Sequence, residues 1–453
     1  MKKQLLANAI LLTTVLALAT CSKSSPQSAE EEQTTAVVTD ETATSAEAKD
    51  NKIGGTVSVL GLWGGAELEI FNNLVKPFEE RTGIKVEYEG TRDLDAVLTT
   101  RVEAGNPPDL AVLPNPGKMA ELARSGKLID LSSVIDMAKM KEAYAQSWID
   151  LGSVDGKLVG IFTKASLKGL VWYNPQNLKE AAIEIPESFD KLIEVSKVIA
   201  KKGKKPWAIG VESGAASGWV GTDWIESILL GKYGAQKYVE WYKGKLAWTS
   251  DEMKSVFKMW GQIVTDKKMV YGGKKYILAT NFGEAFIPVF KSPSKAMFHF
   301  QAAFIQSFIQ KQFADLKPGS DYNFFALPPA DPQNANAIEI AGDLFGMLKQ
   351  TPQAAAFIEY MTSPKAQSFW VKAANGISPN KQVSLDDYPD PLSKHAAEIM
   401  TKAEATVFDA SDMMPGKMNN EFWSAILHYI EKPAKLNSIL ESLEKVRKEV
   451  YKQ

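Results

Sequence analysis

The groups in this 453-residue chain best suited to hold a small molecule are its eleven tryptophans and a spread of carboxylates beside apparent loops. Trp63-Gly64-Gly65 ends an apolar run, with Glu67 just beyond. Arg92 and Asp93 follow a second run, and Asn115 stands between two prolines after a third. Lys164 comes directly after residues 160–163. Trp219, Asp223 and Trp224 follow the glycine- and serine-rich stretch 213–218. Gly342, Asp343, Asp409 and Asp412 form a last group. Indole rings can cover the weakly apolar C–H faces of a ring-shaped solute. Asp, Glu, Asn and Arg can pair with hydroxyls around its rim, two at a time where geometry allows. Trp63, Trp219 and Trp224 are therefore candidate plates, and Gly65 would let backbone come close. Each also has a plainer reading. Trp63 could be core, Glu67 a charge at a helix start, Arg92 and Asp93 a surface ion pair, Asn115 a turn residue, and one of Trp219 and Trp224 core.

Other chemistries find little support. Cys21 is the single cysteine, and His299, His395 and His428 are scattered, so no metal-ligating cluster and no cofactor is expected. The 52 basic and 54 acidic residues give a net charge of -2, which offers no footprint for nucleic acid. A secreted glycosidase would need two carboxylates about 5 Å apart, one with a raised pKa. No nucleophile or acid motif is visible, although counting cannot exclude such a pair. A binder of glycerol phosphate would want a basic cleft, and only Arg92 and Lys164 stand near the other candidates.

The elements that must position these residues alternate between two periods. Residues 55–63, 84–88 and 109–113 read as strands, and 67–82, 94–104 and 119–125 as helices, the first with Leu68, Phe71, Leu74, Val75 and Phe78 on one face. Alternation of this kind predicts an α/β sheet flanked by helices, with ligand at the strand ends. Residues 160–163 and 169–173 read as strands where the chain passes between lobes. Helices are predicted over 188–202, 219–230, 235–242, 250–267, 352–361 and 364–374, and strands over 206–210, 296–300 and 322–327. Some 400 residues of globular composition exceed a usual single core, so two domains are expected. Ahead of them lies a basic start, an apolar run from Leu5 to Ala19 and then Cys21, the pattern of an export signal. Residues 22–51 have almost no large apolar side chain and read as a solvated tether.

Two resemblances sharpen this. Leu18-Ala19-Thr20-Cys21 resembles a bacterial lipobox, with Thr20 departing from the usual small residue, which implies a lipid-anchored, palmitate-labelled Cys21. The body is similar to extracellular solute-binding proteins of bacterial ABC importers for oligosaccharides. Phe78-Glu-Glu-Arg-Thr-Gly-Ile-Lys-Val86, Gly105-Asn-Pro-Pro-Asp-Leu110, Val171-Trp-Tyr-Asn-Pro175 with Ile185-Pro-Glu-Ser-Phe189, Met361-Thr-Ser-Pro364 and Gly376-Ile-Ser-Pro379 carry the likeness in order. Ser-Phe replaces the usual Thr-Trp. Thr91-Arg-Asp-Leu94 and residues 408–416 followed by Phe422-Trp423 resemble binders of α-glucosides and glucosylglycerol-like solutes. The resemblance implies a two-lobe periplasmic-binding-protein fold (a Venus flytrap) of α/β class, with an enlarged, mostly helical C-terminal lobe. It implies lobe 1 at 53–165 plus 290–341 and lobe 2 at 166–289 plus 342–453, behind a signal peptide at 1–20 and a tether at 21–52. It also implies a contact from Phe300 or Gln301, a non-enzymatic role, ABC permease subunits as partners, a monomer, and an extracytoplasmic place on a membrane through Cys21.

Overall fold

The computed structural model describes residues 52–451. The leader, Cys21 and the tether up to residue 51 lie outside the described residues. Strands among the described residues are β1 (Thr56–Gly61), β2 (Lys85–Gly90), β3 (Leu110–Leu113), β4 (Ser153–Val154), β5 (Lys157–Leu158), β6 (Ile161–Leu167), β7 (Leu170–Tyr173), β8 (Lys205–Ala208), β9 (Ala296–Phe300), β10 (Asn323–Ala326), β11 (Ala337–Met347) and β12 (Ala405–Phe408). They form two larger sheets and a small β4–β5 hairpin.

In the first sheet β1 lies between β2 and β3, all parallel. This is the outcome of strand–helix–strand units, in which helix Gly65–Thr82 returns the chain beside its start. That helix buries Phe71, Leu74, Val75 and Phe78, and stops at Gly83, whose φ of 70° suits the left-handed cap. β11 completes the sheet. It is antiparallel to β3 through 344–347 and to β6 through 340–345, on opposite edges, and parallel to β12 through 337–340. In the second sheet β7 is antiparallel to β10 and β9, and β8 is parallel to β9.

Each sheet has its own core. Val57, Val59, Phe71, Phe78, Phe345, Phe357 and Trp370 pack together in the first. Trp207, Trp224, Trp241, Trp260, Phe298, Phe422 and Tyr429 pack in the second, larger one. Each fully buried large apolar side chain contributes on the order of 1.5–3 kcal/mol, so two such clusters make two lobes. Long helices thicken the second lobe: Trp219–Tyr242, interrupted at Gly234, Asp251–Val264, Gly416–Glu431 and Leu436–Val450. The two helices expected at 219–230 and 235–242 are both present, meeting at Gly234, whose φ of 78° and ψ of 173° are not helical.

The chain passes between the sheets at 168–169, at 327–336 and after β12. That division departs from the one expected. β9 and β10, placed at 290–341 with lobe 1, pair into the second sheet. β11 and helices Pro352–Thr362 and Pro364–Lys372 join the first sheet and its core. Short apolar strands fit either sheet, and their partners are set by residues far away in sequence. No helix among the described residues is long and apolar enough to cross a membrane.

Candidate functional site

A cavity of about 460 Å³ lies between the lobes, lined by strand ends and loops of both. Its floor is β6 and the residue after it. Side chains alternate along a strand, so Lys164, Ser166 and Lys168 share one face, and all three line the cavity. The backbone N–H of Lys168 still donates to the Glu339 carbonyl, at 2.9 Å, which carries the ladder one residue past the strand.

Each lysine gathers carboxylates. Lys164 Nζ lies 2.7 Å from Glu67 Oε1 and 3.0 Å from Asp343 Oδ2, and bonds Asn375 Oδ1 at 3.2 Å. A register shift between Asp343 and Leu344 interrupts the β6–β11 pairing there, an irregularity of the kind that re-aims side chains beside a site. Trp63 donates its Nε1 proton to the same Asp343 oxygen at 2.8 Å. Burial opposes the charge of Lys164, and the facing Asp343 and Glu67 outweigh that, so its pKa is raised.

Lys168 Nζ lies 2.7 Å from Asp223 Oδ2 and 2.8 Å from Asp409 Oδ2, with the Trp219 ring 5.2 Å away. Glu226, Glu339 and Asp412 surround this pair. Ala410 N–H and Tyr238 hydroxyl donate to Glu226 Oε2 at 2.8 and 3.2 Å, Ser227 donates to Glu339 at 2.9 Å, and Asn115 bonds Asp412. One ammonium cannot neutralise five buried carboxylates. Asp409 takes the charge: burial opposes its ionisation, yet Lys168 and hydrogen bonds hold its pKa below the ordinary value. Burial, with the Asp409 charge second, pushes Glu226, Glu339 and Asp412 well above theirs. Burial pushes Asp223 up to about 7 against the pull of Lys168. Oxygens of Asp223, Glu339 and Asp409 lie within 4.8 Å of one another, close enough for a cation. The Lys168 ammonium takes the place such an ion would fill.

Aromatic side chains wall the cavity. Trp219 meets Phe282 edge-on at 5.1 Å and leans on Phe304 at 6.2 Å. Contacts also cross from lobe to lobe. The Arg92 guanidinium sits 4.8 Å above the Phe282 ring, and Gly416 N–H donates to Glu121 Oε1 at 2.8 Å. Gly117 lies so near the 410–414 segment that an added Cβ would stand 2.1 Å from the Met414 carbonyl oxygen.

Among the residues singled out in the sequence, the cavity gathers Glu67, Arg92, Asp93, Asn115, Lys164, Trp219, Asp223, Gly342, Asp343, Asp409 and Asp412. Five others stand outside its lining. Trp63 is fully buried and packs on Phe71 at 5.1 Å and Trp370 at 4.7 Å, so it orients Asp343 and cannot plate a solute. Trp224 is equally buried, stacked on Phe300 at 4.1 Å, which removes Phe300 as well. Gln301 is buried with its Oε1 accepting from Ala302 N–H, and Gly65 opens helix Gly65–Thr82 outside the lining. The sequence reading missed Lys168, Ser166, Ser213, Phe282, Phe304 and Asn419. The period of two from Lys164 was the available signal for Ser166 and Lys168.

Two lobes joined by three crossings around a polar, aromatic-walled cavity define a protein that encloses a solute. The chain belongs to the bacterial extracellular solute-binding proteins, whose family model matches residues 64–368. It is 38% identical over 375 residues, 83% of this chain and 88% of the other, to the osmoprotective compounds-binding protein GgtB of Synechocystis sp.. It is 34% identical over 387 residues, 83% of this chain and 84% of the other, to the alpha-glucosides-binding periplasmic protein AglE of Rhizobium meliloti. Among solved structures, a chitin oligosaccharide binding protein superposes with a TM-score of 0.77 at 18% identity, covering 88% of this chain and 100% of that one, which bears on the fold.

Proposed function

We propose that this protein is the extracytoplasmic receptor of an ABC importer and takes a neutral α-glucoside of about two units, such as maltose, trehalose, sucrose or glucosylglycerol. The observation that carries this is the cavity itself. Both buried lysines are already engaged, Lys164 with Glu67 and Asp343 and Lys168 with Asp223 and Asp409, and carboxylates outnumber cations in the lining, so an anion finds no unpaired lysine there while a neutral solute adds no charge. Carboxylate and amide groups that remain available suit hydroxyls, and Trp219 offers a ring face. At 460 Å³ the cavity falls in the lower part of the ~300–1,000 Å³ usual for small-molecule sites, which favours a short ligand over a long chain. The AglE relative, named for binding alpha-glucosides, supports the reading, and the GgtB relative is named for osmoprotective compounds.

The glycosidase reading loses ground for a geometric reason. Hydrolysis with retention needs one free carboxylate as nucleophile beside a protonated one. Here the adjacent pairs each share a lysine. A thermal-shift screen against glucose-containing disaccharides, glucosylglycerol and glycerol phosphate tests the function, because a ligand that binds only the folded state raises apparent stability. A rise with at least one glucoside, none with glycerol phosphate and no release of glucose on long incubation are expected. A rise only with glycerol phosphate would overturn the reading.

The same proposal places Cys21 in a lipid anchor, with the folded body on a tether near its permease, acting as a monomer. Native protein expressed in a bacterium with a lipoprotein pathway should take up radioactive palmitate, and Cys21→Ser should not. An unlabelled native protein would dismiss the anchor.

A further inference from the structure

Three polar atoms in the cavity wall have no partner in the protein, and they come from one corner of it. Ser213 Oγ, Asn419 Oδ1 and Trp423 Nε1 are all buried and unbonded, and all three residues line the cavity. Ser213 is 1% exposed and Asn419 3%. Asn419 and Trp423 lie four residues apart on helix Gly416–Glu431, hence on one face of it. Ser213 belongs to the 213–218 loop, which the Ser213 N–H to Ser217 Oγ bond folds back on itself at 2.9 Å. The loop rests on that helix. A Cβ added at Gly218 would stand 2.4 Å from the Trp423 carbonyl oxygen, so only glycine allows this approach, at a φ of 113°. The opposite lobe reaches the same corner, since a Cβ at Gly214 would lie 3.1 Å from Arg92 Cβ.

Buried polar groups left unpaired destabilise a fold, by roughly 1–3 kcal/mol each, and a cluster of them on residues that line a cavity points to a ligand that completes them. Their chemistry narrows what that ligand presents. Trp423 Nε1 donates only. Asn419 presents a donor and an acceptor whichever way its amide is turned, and Ser213 can do either. Hydroxyl groups, which donate and accept at once, satisfy such a set. A phosphate or carboxylate would meet Trp423, Ser213 and the nearby Arg92, but would share the cavity with Asp93, whose Oδ1 lies 3.9 Å from a Cβ at Gly214, and with Asp412. We infer that Ser213, Asn419 and Trp423 form a second recognition pole that reads hydroxyls on the second unit of the glucoside, a polyol or another sugar, and so determines specificity beyond the first ring. This rests on the glucoside reading above.

The test separates the two ideas. Calorimetry on the full chain would compare methyl α-glucoside, whose second unit carries no hydroxyl, with maltose, trehalose and glucosylglycerol. Trp423→Phe keeps an aromatic ring and removes the N–H, while Ser213→Ala removes one small hydroxyl with little risk to folding. Both variants should weaken whichever two-unit glucoside the parent binds best by about tenfold and leave methyl α-glucoside within twofold. If the parent binds that glucoside and both variants bind it equally well, or if both ligands weaken in step, the second pole is overturned alone. If the parent binds none of the panel, the glucoside reading falls and this one with it.

Discussion

Single residues in this cavity fall into those that meet solvent space and those that hold others in place. Trp219 is the available plate, half-buried against Phe282 and Phe304. Removing its ring should cost about 1–2 kcal/mol of ligand contact at ~25 cal/mol per Å². Trp219→Ala is thus expected to weaken a bound glucoside by roughly tenfold or more in calorimetry. Trp63→Ala and Trp224→Ala should instead lower folding stability by about 3–5 kcal/mol in denaturant titrations, since both rings are core. A neighbouring glycine or aspartate made all three look alike. What distinguishes them is contact with Trp370 and Phe300, far along the chain, and no local pattern encodes that. Asp223 carries the pH dependence. Its folded pKa of about 7 lies above its ordinary value of 3.8. The stability it contributes is therefore fully present below about pH 4 and lost as pH rises towards 7. Glu226, Glu339 and Asp412 shift the same way. The ligand-free protein should melt at higher temperature at pH 5 than at pH 7.5, and Asp223→Asn should flatten that slope. A melting profile unchanged by the substitution would remove Asp223 from this role.

Elements set how far the cavity can close. Helix Pro116–Arg124 of the first lobe approaches the 410–414 segment through Gly117, where there is no room for a side chain. Gly117→Val should therefore hold the lobes apart and weaken ligand binding at least tenfold by calorimetry. Little change in binding would mean that the approach is not needed for the ligand to be held. The parallel strands and flanking helices of the first lobe were legible from periodicity alone, because β1, β2 and β3 and the helices between them follow one another in chain order between Thr56 and Leu113. The sequence did not show the place of β11 in a sheet. That strand is flanked by β3 and β6 on opposite edges, and both partners lie far away in sequence. β12, four residues long, was not seen. Lys168 reads as a charged residue beside Gly169, and only its two-residue spacing from Lys164 through Ser166 hinted that it turns inward.

At the scale of the molecule, the three crossings bring residues 168, 339 and 409 together in one buried ionic cluster. Closure of one lobe on the other when a ligand binds would be a rotation about these crossings. Small-angle scattering at saturating glucoside should give a smaller radius of gyration than the free protein, and identical profiles would exclude closure on binding. Lys168→Met leaves Asp409 buried without its counter-charge, which should destabilise the whole by about 3–5 kcal/mol in denaturant. The place of β11 has another consequence. The second sheet draws all four strands from residues 170–326, a continuous stretch, whereas the first stays split into unjoined β1–β3 and β6 parts until β11 exists. A chain that emerges from its N-terminus can pair the strands of the second sheet while the first waits for β11, and the core of the second lobe stays open until helices Gly416–Glu431 and Leu436–Val450 arrive. Distant partners make that last step slow. Delay of this kind suits a polypeptide that must thread a narrow pore before it packs, and the order of its strands would then keep the leading half slack until the trailing half has crossed.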